Sequence, residues 1–311
     1  MISLIQNELM KIFGKKASWV YMIIIIIALV LGAFFYNKFT DDPNPNWRQD
    51  VESEITLLQA EMKDAQKVED KKLKQIQIDE KQKLLDENIN PTAKTNWVYM
   101  NNVVYGVSSL VTLFIVIICS ANVSSEFSDG TIKQLLIRPH RRWKILLSKY
   151  ISVLIYAGIL YVTLVLAGYI VGLLFFGSGE YGMKVMDLGK VAVIGEQFTL
   201  KMVYGIPSLL IVMTVAFMLS TLFKSQALAV GIGIFTLFFS STLAGLIYMF
   251  SEKYAWMKVL IFAHMDLSVY AFQDKILGNI TLPISLGILL VYYIIFLAIT
   301  FLFFQKRDVS I

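Results

Sequence analysis

Apolar residues fall into six long runs separated by polar stretches of very unequal length. The runs cover roughly Ala17–Tyr36, Val98–Ala121, Tyr150–Phe176, Met202–Phe223, Ala227–Phe250 and Leu282–Phe304. Each approaches or exceeds the ~20 residues that cross a bilayer as helix. They do not alternate with polar residues, as the strands of a membrane barrel would, so six spanning helices are predicted. Ahead of them, Ile2, Ile5, Leu9, Ile12 and Phe13 recur every three or four positions, while Asn7, Glu8, Lys11 and Lys15 take other faces. Residues 1–16 therefore read as an amphipathic helix lying in the membrane interface. The lysines before the first run resemble a signal peptide's start, but no small-residue cleavage site follows, which predicts an uncleaved span over 17–36.

The polar stretches have patterns of their own. Residues 37–97 contain the one soluble-looking piece, with no Gly or Pro between Trp47 and Asn90. Val51, Ile55, Leu58, Met62 and Ala65 keep a helical spacing, and Leu73, Ile76, Leu84 and Leu85 continue it less regularly. One unbroken helix of ~40 residues would be ~60 Å long. The flanking linkers, at ~3.3 Å per residue, reach only roughly 50 Å together. A bend or a hairpin near Glu69–Lys72 is therefore expected. Between the fifth and sixth spans, Tyr254–Phe272 is too polar to cross, and within residues 251–281 it reads as an interfacial or re-entrant helical piece. Lys224, Ser225 and Gln226 form a tight turn that makes the fourth and fifth spans antiparallel neighbours; Gly231 and Gly233 allow close helix approach, and Pro207 loosens the fourth.

Composition agrees: 57% of residues are hydrophobic, mean hydropathy is +0.64, and a soluble domain is ~45–50% apolar. The net charge of +5 is no nucleic-acid footprint, because in a membrane protein the position of charge matters more than its total. Lys11, Lys15, Lys16, Lys133, Arg138, Arg141, Arg142, Lys144, Lys149, Lys224, Lys306 and Arg307 all fall on one set of loops; the opposite loops mix both signs. Positive charge marks the cytoplasmic side. The expectation is an all-α polytopic protein of a bacterial cell membrane. Both termini, the loop 122–149 and the tail 305–311 lie in the cytoplasm, residues 150–304 hold spans three to six, and 37–97 is an external helical insertion.

Candidate chemistry is sparse. Cys119 lies within an apolar run, so no disulfide is possible within the chain. His140 and His264 fall on opposite sides of the membrane, and His264 with Asp266 lacks further metal ligands. Gly177, Gly179, Gly182 and Lys184 miss the phosphate-loop spacing, because Met183 separates the last glycine from the lysine. No charged residue occurs over 151–174, 203–223 or 227–250, whereas ion-driven pumps place ionisable groups at mid-membrane. The chain is expected to be no enzyme by itself and to hold no cofactor or metal.

The stretch from Glu126 to Lys149 is the most patterned loop. Glu126, Gly130, Thr131, Leu135, Leu136, Pro139, Arg141, Arg142, Ile145, Leu146 and Lys149 resemble the loop after the second span of type-2 ATP-binding-cassette (ABC) exporter permeases. Asn7, Glu8, Leu9 and Lys11 resemble that family's amphipathic amino-terminal helix, and Phe304, Lys306, Arg307 and Asp308 its tail. The resemblance implies a permease subunit of an ATP-driven exporter. A cytoplasmic coupling helix would dock on a separate ABC ATPase subunit that holds ATP and Mg. A second permease subunit, membrane lipid and an exported substrate of unknown kind complete the partners; nucleic acid is not among them.

The residues suit that role. Glu126 and Phe127 leave the second span, and Gly130 permits a sharp turn. Thr131 can cap a short helix, in which Ile132, Leu135 and Leu136 offer an apolar face and which Pro139 stops. Arg141, Arg142 and Lys144 suit acidic groups on the ATPase or lipid phosphates. The competing reading is a non-transporting membrane sensor or anchor built around the external helical module.

Overall fold

A computed structural model describes residues 1–64, 67–131, 141–187 and 189–307. Ile132, Leu135, Leu136, Pro139 and His140 lie outside the described residues. Among the described residues the protein is all-α apart from two short hairpins, and six helices are long and apolar enough to cross a membrane. A short leading helix, α1 (Ile2–Gly14), precedes the first of them, α2 (Lys16–Phe39). The others are α5 (Asn96–Ser128), α6 (Arg142–Phe176), α7 (Ile194–Leu222), α8 (Gln226–Phe250) and α9 (Leu282–Lys306). Between α2 and α5 stand α3 (Trp47–Asp64) and α4 (Val68–Asp86).

Several boundaries have plain local causes. Ser225 caps α8 by accepting a hydrogen bond from the Leu228 amide. A proline in the first turn of α9 occupies a place where its missing N–H has no partner to lose. Gly130 closes α5 with a left-handed φ of 70°, a conformation that glycine adopts without a Cβ penalty. Helix α6, at 35 residues, is ~50 Å long and outruns the ~30 Å hydrocarbon core. Its first two turns carry Arg142, Lys144 and Lys149 ahead of the apolar stretch.

The chain forms two compact units. One comprises Leu29–Tyr105 and Gly168–Thr199. Within it α3 and α4 pack on each other around Trp47, Val51, Ile55, Ile78, Leu84 and Ile89. Ion pairs Lys74–Glu61 and Lys81–Glu54 bridge the two helices on their exposed sides, where such pairs contribute ~0–1 kcal/mol each. The piece is thus a helical hairpin. Its break falls between Asp64 and Val68, a few residues before Glu69–Lys72. Strands β1 (Lys184–Asp187) and β2 (Lys190–Val193) pair antiparallel through a turn in which Gly189 takes a φ of 75°. Met186 packs on the hairpin core, and Lys184 pairs with Glu87 at 2.6 Å. Gly177 to Lys184 is therefore the link between α6 and this small sheet, not a phosphate loop.

The other unit comprises Met1–Ala28, Gly106–Ala167 and Leu200–Ile311. Its buried core includes Ile115, Leu146, Tyr156, Leu160, Met213 and Phe217. The two glycines expected to allow close approach in α8 differ. A Cβ at Gly233 would lie 2.5 Å from Ser120 Oγ, so α8 rests directly on α5 there, whereas a Cβ at Gly231 meets nothing within 4 Å. Residues 255–271 form three short 3-10 turns, Ala255–Val259, Ile261–His264 and Leu267–Ala271, in place of one helical piece. A hairpin of β3 (Lys275–Ile276) and β4 (Ile280–Thr281) follows. His264 is fully buried, and its ring is used on both sides. Nδ1 lies 2.8 Å from Ser285 Oγ, and Nε2 lies 2.8 Å from the Lys258 carbonyl oxygen. Asp266 caps the next turn by accepting from the Ser268 amide. The two side chains do not converge as a ligand pair.

Candidate functional site

The residues at the Glu126–Lys149 end of the second unit are organised by four charges. Glu126 is on the last turns of α5, Lys149 is on the second turn of α6, and Glu8 and Lys11 lie one turn apart on α1. The Lys149 ammonium donates to Glu8 Oε2 at 2.8 Å and to Glu126 Oε1 at 2.7 Å. Lys11 donates to Glu8 Oε1 at 2.7 Å and to Glu126 Oε1 at 3.1 Å. Two carboxylates and two ammonium groups thus balance, and three helices meet at one knot.

Burial gives the knot its consequence. The Lys149 side chain is 1% exposed and that of Glu8 is 8% exposed. A lysine taken out of water is held only by paired, hydrogen-bonded partners, and removing one partner leaves a charge stranded. Burial pushes the Glu8 carboxyl pKa up, but the ammonium groups of Lys149 and Lys11 outweigh it and hold it below the ordinary 4.5. For Lys11 burial works downward, and the carboxylates of Glu8 and Glu126 outweigh it, so its pKa is raised. Both directions favour the charged forms that the knot needs.

Around the knot the loop's edges are tied to other helices. The Val123 and Ser124 amides donate to Ser220 Oγ of α7 at 2.9 and 3.0 Å. Ser128 donates to the Lys224 carbonyl and accepts from the Gln226 amide, both at 3.0 Å, which fastens the end of α5 to the α7–α8 turn. The Arg307 guanidinium stacks over the Phe127 ring at 4.2 Å and donates to the Thr221 carbonyl. Arg142 donates to the carbonyls of Arg307 at 2.9 Å and Gln305 at 3.4 Å.

Each residue expected to couple the loop to a partner can now be placed. Glu126, Phe127 and Arg142 are engaged inside the molecule. Gly130 makes the turn that ends α5. The Thr131 hydroxyl donates back to the Glu126 carbonyl at 3.4 Å. The Arg141 carbonyl accepts from the amides of Lys144 and Ile145 at the start of α6, while its side chain is exposed. Sequence reading passed over Ser220, and it named Glu8, Lys149 and Arg307 only within family-like patterns, without the contacts that they make. Glu8 was placed on a polar face and Lys149 among the charges that set topology. Their signals were the lone acid in a basic amino-terminal helix and a lysine abutting an unbroken apolar run, where an ionisable side chain turns toward the protein interior. Among the described residues no group of His, Cys, Asp or Glu is placed to hold a metal ion.

Comparison with known proteins corrects the family resemblance. The family that matches is described as "Protein of unknown function (DUF2705)", over residues 81–310. That range contains the whole Glu126–Lys149 stretch, and type-2 ABC exporter permeases are not what it matches. The resemblance rested on a glycine, a proline, paired leucines and scattered cations, which any basic turn between two spans tends to hold. "Uncharacterized protein YhcI" of Bacillus subtilis (strain 168) is 34% identical over 318 residues, covering 100% of both chains. "Uncharacterized membrane protein YdbK" of the same organism is 33% identical over 204 residues, covering 65% of this chain and 79% of that one. No solved structure matches.

Proposed function

The chain belongs to the family described as "Protein of unknown function (DUF2705)", and within that family we propose that this multi-pass membrane protein is the transmembrane subunit of an ATP-driven exporter whose ATPase is a separate chain. The observation that carries the reading is the buried Lys149, paired at once with Glu8 on α1 and Glu126 on α5. The two helices that flank the loop between Glu126 and Lys149 are joined by a charge pair, and α1 is joined to both. A push on that loop moves the ends of α5 and α6 as one body and carries α1 with them. Rigid elements with a fixed hydrogen-bonded junction are what a coupling device requires.

The energy source supports the same reading. The spans hold no charged residue over 151–174, 203–223 or 227–250, so no ionisable relay crosses them there. Work is then delivered from outside the membrane. In this reading the basic loops are cytoplasmic, as positive charge prefers. The segment between Glu126 and Lys149 is the part on which the ATPase acts, α1 lies in the cytoplasmic interface, and the α3–α4 hairpin is the external insertion. Two copies, or one copy with a related chain, enclose the path. ATP binding to the partner shifts the population between inward- and outward-biased arrangements.

The test is purification of the tagged chain from its native membrane in mild detergent, with ATP hydrolysis measured on the product. The proposal expects a copurifying ATPase that is lost when Leu135→Asp and Leu136→Asp are combined. Purified protein with no associated ATPase, and transport-independent signalling that depends on α3–α4, would replace it with the sensor reading.

A further inference from the structure

A cavity of about 100 Å³ lies within the second unit, where α7, α8 and α9 meet the turn Ile261–His264. Val212 and Ala216 of α7, Leu237 of α8 and Phe296 of α9 form its sides, and Phe262 and Met265 reach it from the turn and its end. The same Phe262, Met265 and Phe296 pack on the buried cluster of Ile211, Ile261, Leu267 and Leu289, which holds these elements together. Folded interiors contain few voids larger than a water molecule. By size this one has room for water, which needs only ~10–15 Å³. Its chemistry decides otherwise.

A buried water needs roughly two to four polar partners. Among the described residues the wall offers one side-chain hydroxyl, that of Thr236, and it already donates to the Ile232 carbonyl at 2.8 Å. The rest of the wall is almost entirely carbon. An engineered apolar cavity of ~150 Å³ with such a lining stays dry and takes up benzene or xenon. A void that neither water nor protein fills forfeits the dispersion contacts of the atoms around it. Two phenyl rings and a polarisable thioether make those contacts worth recovering here.

We propose that this cavity is a binding site for one compact hydrocarbon of about three or four carbons, held by dispersion contacts with Phe262, Met265 and Phe296. No charged or hydrogen-bonding group on the guest finds a free partner in such a wall, so the class it accepts is apolar and small. A ligand stabilises the state that it binds. Occupancy therefore favours the arrangement in which α7, α8, α9 and the turn stand together around the guest. The site goes beyond the exporter reading, and nothing in it depends on an ATPase partner.

The experiment uses the full chain in detergent micelles, with carbon-13 in the methionine methyl groups and xenon as the probe. Met265 lines the cavity, whereas Met186 packs on the core of the α3–α4 hairpin and serves as the internal reference. Rising xenon pressure should shift the Met265 resonance along a curve that saturates, while Met186 changes only in proportion to pressure. Cyclopropane added at fixed xenon pressure should reverse the Met265 shift. Ala216→Leu should abolish the saturable shift, because its added carbons occupy the void. The cyclopropane competition is read on the unaltered chain and decides the matter if that variant fails to fold. A Met265 response as linear as that of Met186 overturns the proposal. A saturable response that appears only in Thr236→Val also overturns it, and is the result expected if water held by the Thr236 hydroxyl fills the cavity. A xenon shift that cyclopropane leaves in place overturns the hydrocarbon assignment.

Discussion

The Lys149 ammonium lies 2.8 Å from Glu8 Oε2, joining a helix of the chain's first turns to one that starts more than a hundred residues later. Neither side chain has an alternative in water, since they are 1% and 8% exposed. The pair therefore fixes α1 in place more than it adds net stability, because a buried ion pair often does no better than an apolar one of the same shape.

This asymmetry predicts a non-additive mutant series. Lys149→Met should lower stability by about 3–5 kcal/mol, since it strands the carboxylates of Glu8 and Glu126 with Lys11 alone. Adding Glu8→Gln and Glu126→Gln to it should recover a large part of that loss. The midpoint of chemical denaturation in detergent reads both. A triple variant less stable than Lys149→Met would show that the charges are not coupled as described.

Contact between α5 and α8 gives a sharper steric prediction. Gly233→Ala puts a methyl 2.5 Å from Ser120 Oγ and 3.1 Å from a Val116 methyl carbon, so it should lower the thermal midpoint. Ser120→Gly in the same chain should restore most of the loss. Gly231→Ala has open space around it and should be neutral or stabilising by about 0.5–1 kcal/mol, the ordinary gain of alanine over glycine in a helix.

Arg307 tests the attachment of the last helix. It stacks on Phe127 and donates to the Thr221 carbonyl, and the Arg307 backbone in turn accepts from Arg142. Arg307→Gln should expose the junction of α9 to protease at its carboxyl end. Arg307→Lys should rescue less than half of the protection, because an ammonium lacks the planar face that stacks on a ring. Limited proteolysis followed by mass measurement reads the order expected: unaltered, then lysine, then glutamine.

Acid should loosen the 255–281 segment through His264. Burial holds its pKa below the ordinary 6.5, opposed only by the hydrogen bond to the Lys258 carbonyl. As pH falls below 6.5 the unfolded segment takes up the proton first, so the stability present above that value is lost as pH drops toward the folded pKa. Amide protection factors over residues 255–281, each exchange rate being referred to the intrinsic rate at the same pH, should fall as pH drops below 6.5. In His264→Gln those protection factors should not fall with pH in this way.

How far the sequence led differs between elements. The spans were legible because six apolar runs of sufficient length admit no other reading in a bilayer. A departure from one straight helix over residues 47–86 was legible because the short linkers can barely return one, but the sequence left a bend and a hairpin open, and the break sits nearer Asp64 than expected. The β1–β2 hairpin was passed over, though Asp187 and Gly189 stand where a tight turn needs them. The charge knot was invisible residue by residue. Glu8 looks like any polar position of an amphipathic helix, and Lys149 like any cation at a span's end. Only tertiary packing brings their heads together. The family resemblance failed for the opposite reason: its residues were read as a signature when each is common in a basic turn.

The most direct measurement of the central claim is ATP turnover by the complex in proteoliposomes, comparing the unaltered chain with Leu135→Asp combined with Leu136→Asp. The account predicts that the unaltered chain stimulates its ATPase partner, and that the variant abolishes stimulation while its own thermal midpoint is unchanged. Turnover equally stimulated by both chains would contradict the assignment of the Glu126–Lys149 loop as the place where the ATPase acts.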